Sequence, residues 1–154
     1  NNKKMKALLY CILFISFQLS GQISQDDSVG LPKGNIAPNV HHTGTVWLNF
    51  MSQSDSIFNY NVVLASFEAG AKLDWHMHPE GQQLIIMDGI GNYQERGKAL
   101  QIVKKVDVIK SQPGIELWHA ATPYSACSFL ALYANEPTKW LEPISEETYL
   151  SLEK

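Results

Sequence analysis

The stretch Gly70-Ala71-Lys72-Leu73-Asp74-Trp75-His76-Met77-His78-Pro79-Glu80-Gly81-Gln82 decides how this chain is read. Side chains alternate faces along a strand, so His76 and His78 point the same way. Pro79-Glu80-Gly81 makes a turn, and Gln82 returns behind it with a carbonyl oxygen directed at the same point. Two neutral imidazoles on one face form a natural chelate for a divalent transition metal, since ring nitrogen suits several of them. The tripeptide alone is weak support, because exposed His-x-His pairs arise by chance and bind nothing.

Working outward, the chain from Thr43 on is a series of short β-type runs separated by turn residues. Candidate strands cover 45–50, 61–68, 72–78, 82–87, 91–96, 99–103, 107–110, 116–120 and 126–133, with 82–87 and 91–96 read as a hairpin through Asp88-Gly89. Their regular spacing predicts an all-β sandwich or barrel rather than a helix bundle. The exception is the C-terminus, where Ser145 before Glu146-Glu147 reads as an N-cap with acids in the first turn of a short helix.

The N-terminus reads differently. Lys3, Lys4 and Lys6 precede an apolar run from Ala7 to Leu19, followed by Ser20-Gly21. That order is expected of a secretory signal peptide over residues 1–21, with export to the periplasm or outside the cell. The run falls short of the roughly 20 residues a membrane span needs, so no stable span is expected in the mature protein. Residues 22–42 read as a flexible lead-in, with His41 and His42 as bystanders, and residues 43–150 as the folded domain. With Cys11 in the signal, Cys127 is left alone, so no internal disulfide is expected, and a core place is favoured over a nucleophile.

Composition narrows the functions further. The chain has 154 residues, 45% of them hydrophobic and 18% charged, with a net charge of −3. This is the balance of one globular domain. No cationic excess exists to neutralise a phosphate backbone, so nucleic acid is not an expected partner. Residues sharing strand parity near the histidines, namely Val63, Ala65, Phe67, Phe129, Ala131 and Tyr133, would line an apolar pocket with one phenol, suited to a small molecule; plain core packing is the alternative for each. Trp75 and Trp118 have the opposite parity and are expected to pack outside the barrel.

The unbroken spacing of Gly70, His76, His78, Gln82 and Gly89 resembles the first cupin motif, with Gln82 where many cupins carry glutamate. The stretch 107–119, with Pro113-Gly114 leading into Trp118-His119, occupies the place of the second motif. Together with Thr43 to Trp47, Tyr93 to Gly97, Ala121 to Pro123 and Trp140 to Pro143, these residues look most like the small single-domain cupins. That group includes the bacterial manganese-dependent hydroxynitrile lyases and proteins associated with carboxymuconolactone decarboxylases. The resemblance implies a double-stranded β-helix, or jelly-roll-type barrel, over nearly the whole domain. It also implies metal ligation by His76, His78 and Gln82, reversible cyanohydrin cleavage, and a homodimer, which exposed strand edges permit.

One departure is large. The family's third histidine ligand falls on Leu117, while His119 matches a further histidine that faces the site. Positions 117 and 119 share a strand face about 6.6 Å apart, so His119 reaches the ion only if the strand shifts or its side chain leans across. Three readings stay open. In the first, His76, His78 and Gln82 hold a metal (manganese, or iron, zinc or nickel), with His119 or water filling the gap and His119 as the candidate catalytic acid or base. In the second, the metal is lost and the barrel is a non-catalytic small-molecule binder. In the third, the histidines are structural.

Overall fold

The structure, a computed structural model, describes residues 30–151, so the segment read as a signal peptide lies outside the described residues. The described chain contains strands β1 (Asn35–Ile36), β2 (His42–Thr43), β3 (Val46–Ser52), β4 (Asn61–Phe67), β5 (Lys72–Leu73), β6 (His76–Met77), β7 (Gln82–Glu95), β8 (Gln101–Lys104), β9 (Val108–Ser111), β10 (Glu116–Ala121), β11 (Cys127–Tyr133) and β12 (Lys139–Trp140). A single helical turn, α1 (Glu146–Tyr149), closes the described chain. The main path runs β1-β3-β4-β11-β7-β10-β5-β2, with β8 and β9 added along β7 and with β6 bridging β10 and β12.

The sheet curls into a barrel because β7 serves two walls. Its first half pairs with β11 and β9, and its second half pairs with β10 and β8. The sequence reading made two strands of this element, joined by a turn at Asp88-Gly89. Instead the chain continues through Gly89, which takes a left-handed φ of 74°, and the β11 register slips by one residue at Ser128/Phe129. A bulge of this kind bends a strand without ending it. Conversely, the run from Lys72 to His78, expected to be one strand, is broken at Asp74-Trp75 into β5 and β6.

Alternation along the walls sends one set of side chains inward. Phe67, Leu84, Ile86, Tyr93, Leu117 and Phe129 are almost wholly buried there, and Phe67 meets Phe129 edge-on at 5.4 Å. Large apolar side chains shielded this fully stabilise by about 1.5–3 kcal/mol each. Cys127 joins this core, where burial pushes its thiol up to about 12.

A second, smaller cluster lies on the outer face of β10: Trp75, Trp118 and Ala120 pack against Ile144 and Tyr149. The two tryptophans thus sit outside the barrel, as their strand parity predicts. The helical turn is the lid on this patch. Ser145 caps it by accepting from the Thr148 N–H, and Tyr149 donates its hydroxyl to the Ala121 carbonyl at 2.8 Å. Among the described residues no helix is long and apolar enough to cross a membrane.

The segment read as a flexible lead-in is built into the sheet from β1 onward. Asn35 and Ile36 pair with Leu48 and Trp47, and His42 and Thr43 pair with Leu73 and Lys72. Too few residues alternate in this segment for period-2 patterning to reveal either two-residue strand.

Candidate metal centre

Three elements bring the histidines to one place. β6 supplies His76, the chain just beyond it supplies His78, and β10 supplies His119; all three are buried. The His76 ring lies 5.4 Å from His78 and 5.5 Å from His119, centroid to centroid. Gln82, the first residue of β7, is also buried and faces the same cavity. The turn geometry that brings it back rests on Gly81, whose φ of 84° suits glycine.

The hydrogen bonds fix one tautomer. His76 Nδ1 lies 2.9 Å from the Asp74 carbonyl oxygen, which can only accept, so Nδ1 carries the proton and Nε2 keeps its lone pair. A ring nitrogen held in this way by a backbone carbonyl is the usual support of a metal-ligating histidine. Thr138 Oγ1 lies 3.4 Å from His78 Nδ1. His119 is gripped between rings, with Phe129 at 4.7 Å and Phe67 at 5.6 Å.

What these groups lack is as telling. His76 Nε2, Gln82 Oε1 and His119 Nδ1 are buried and have no hydrogen-bond partner. Leaving such an atom unpaired costs about 1–3 kcal/mol; Trp47 Nε1 and Glu95 Oε2 are also buried without a partner, but His76, Gln82 and His119 all line one cavity. Burial also keeps the rings neutral. It holds His76 down at about 4; burial and then the neighbouring His76 hold His78 at about 3. His119 is pushed well below its ordinary value by burial and by both other histidines. Neutral imidazoles and an amide oxygen are donors that a divalent transition metal accepts. Among the described residues no three His, Cys, Asp or Glu side chains are already drawn together as a cage; the donor set outlined by the orphaned atoms needs the amide of Gln82.

Leu117 occupies the place where the resemblance expects another histidine. It is fully buried and stands in register with His76 on one side and Glu95 on the other. It contributes apolar packing and no donor atom.

The cavity holds about 240 Å³. Val63, Ala65, Phe67, Ala131 and Tyr133 line it, as strand parity predicts. Phe129 is a correction: it shares the β11 face of Ala131, but its fully buried ring packs against His119 and Phe67 and does not line the cavity. His41 and His42 are a second correction. Both line the cavity, because the β2–β5 pairing folds the lead-in across the mouth. His42 is fixed there between the carbonyls of Pro38 and Gly44, at 2.9 and 3.1 Å. His41 stacks on Trp140 at 4.6 Å with the planes 4° apart, and Trp140 lies 4.9 Å from His76 on its other flank. The sequence reading met Trp140 only as part of the family resemblance, since β12 is too short to show alternation.

His41 carries a further mark. Its φ of 60° is left-handed for a residue with a Cβ, a conformation that costs about 1–3 kcal/mol and persists only where neighbours enforce it. The neighbours are visible: Asp74 donates its N–H to the His41 carbonyl at 3.0 Å, and its carboxylate stands 3.7 Å from His41 Nδ1.

Over 124 residues the chain is 33% identical to the (R)-mandelonitrile lyase of Granulicella tundricola, a match covering 79% of this chain and 95% of that one. This chain belongs to the hydroxynitrile lyase-like cupins. The cupin-like protein of Thermotoga maritima is similar in structure as well, with 35% identity, a TM-score of 0.75 and coverage of 79% of this cupin and 94% of that chain. A predicted oxalate decarboxylase from the same organism shares the fold at 19% identity, with a TM-score of 0.58 over 70% of this chain and 91% of that one. No protein-family model matches.

Proposed function

We propose that this cupin holds a divalent transition metal, manganese foremost, through His76, His78, Gln82 and His119, and carries out lyase-type chemistry on a cyanohydrin or a similar carbonyl-derived compound. The observation that carries the reading is the set of unpartnered buried atoms, His76 Nε2, Gln82 Oε1 and His119 Nδ1, around one apolar cavity. When bound, the metal supplies Lewis acidity toward a hydroxyl or carbonyl oxygen. The chain does the rest. The Asp74 carbonyl keeps His76 Nε2 free of a proton, and Phe67 and Phe129 hold the His119 ring in place. Val63, Ala65 and Ala131 make the walls apolar, so a bound small molecule is met there by hydrocarbon rather than by polar groups. Tyr133 sets a phenol at the wall, 4.9 Å from the His78 ring.

The test is direct: load the protein with manganese and follow benzaldehyde release from (R)-mandelonitrile by absorbance. Turnover above the buffer rate is expected. Tight ligand binding without turnover favours the second reading, a small-molecule-binding cupin without its metal, for which the buried Leu117 beside His76 speaks. Export and assembly into a homodimer complete the proposal; N-terminal sequencing of the mature form and light scattering test them.

A further inference from the structure

We propose that His41, which faces the Asp74 carboxylate, is the residue that shuttles a proton within a bound ligand at the mouth of the cavity. The proposal rests on the lyase reading above and adds a residue to it. His76, His78 and His119 are buried, and their rings cluster on His76 at 5.4 and 5.5 Å, which suits ligation better than proton traffic. His41 differs on each count. It lines the same cavity, yet its side chain is 44% exposed, so it meets both ligand and solvent. Its Nδ1 stands 3.7 Å from an Asp74 carboxylate that is itself mostly shielded, the charged group facing it. Its ring is clamped flat on Trp140. Its backbone is held in a left-handed conformation by the Asp74 N–H and by the β2–β5 pairing of its neighbour. An imidazole facing a carboxylate and stacked on a ring at a cavity mouth is placed to act as a general acid–base group.

The step balances on one residue. Neutral His41 takes the hydroxyl proton of the cyanohydrin as the C–O bond becomes C=O and the C–CN bond breaks. The electron pair of that bond leaves on cyanide. The imidazolium, facing Asp74, then returns the same proton to cyanide, which departs as hydrogen cyanide.

His41→Asn is the appropriate variant, because asparagine tolerates the left-handed conformation. Two measurements are made: (R)-mandelonitrile turnover with manganese content, and diethyl pyrocarbonate labelling of His41 with and without benzyl alcohol, read by mass spectrometry. The expected results are a fall in kcat of about a hundredfold or more at unchanged bound manganese, a smaller fall in Asp74→Asn, and slower labelling of His41 when benzyl alcohol fills the cavity. Full turnover in His41→Asn, or labelling that benzyl alcohol does not slow, overturns the role of His41 and leaves the lyase reading standing. A silent, manganese-loaded wild-type protein overturns the lyase reading itself, and the shuttle with it.

Discussion

Leu117 stands directly across from His76 in the β6–β10 ladder, and both side chains are shielded from water. An aliphatic side chain therefore fills the position that the cupin resemblance gives to a histidine ligand. On the proposed reading the consequence is a weaker metal site, since the leucine packs into the barrel core and offers no donor atom. Leu117→His should raise manganese affinity by roughly ten- to a hundredfold, the scale on which changes around a metal site act. Isothermal titration with manganese checks this. No gain in a folded variant would show that position 117 does not face the ion.

The histidine cluster also sets a pH dependence. His76 and His78 titrate near 4 and 3 in the fold, against 6.5 in the unfolded chain. As pH falls below 6.5 the unfolded chain takes up protons first, so stability is complete above that pH and is lost progressively as pH falls toward 4 and then 3. At about 1.4 kcal/mol per pKa unit, the loss is on the order of 3 kcal/mol for His76 alone. Urea midpoints of the metal-free protein should fall steadily between pH 7 and 5, and a His76→Gln, His78→Gln double variant should flatten that slope.

Gly89 permits the bend in β7 that closes the barrel. A Cβ at this position would meet the Ala126 carbonyl oxygen at 1.9 Å, and the φ of 74° is itself costly for other residues. Gly89→Ala should cost more than 1 kcal/mol, visible as a lower thermal midpoint. An unchanged midpoint would mean that β7 is free to rearrange around the bulge.

The helical turn is held over the outer tryptophans in part by the buried Tyr149 hydroxyl, beside the Lys72–Glu146 ion pair. Tyr149→Phe removes the bond to the Ala121 carbonyl and should destabilise by about 1 kcal/mol, or more if that carbonyl has no other partner. Chemical denaturation monitored by Trp75 and Trp118 fluorescence measures it, and the metal content should not change.

The residues that were legible in the sequence share a long, regular signal. His76, His78 and Gln82 stand out because a fixed spacing and turn recur around them, and β4, β10 and β11 are long enough for alternation to mark their inward faces. The rest failed for physical reasons. The turn signature of Asp88-Gly89 divides β7 in two, whereas the strand continues through a left-handed Gly89, with the extra residue of the bulge at Met87. His41 and His42 read as bystanders, and Trp140 only as part of the family resemblance, because two-residue strands bring them to the mouth through pairings distant in sequence, which local patterning does not encode.

The central claim is that the orphaned donor atoms await a metal. Elemental analysis of the purified protein, after manganese loading and removal of excess, tests it most directly. Near-stoichiometric manganese, lost in a His76→Ala, His78→Ala double variant that still folds, is the predicted result. Wild-type protein that retains no manganese, iron, zinc or nickel after loading would contradict the account.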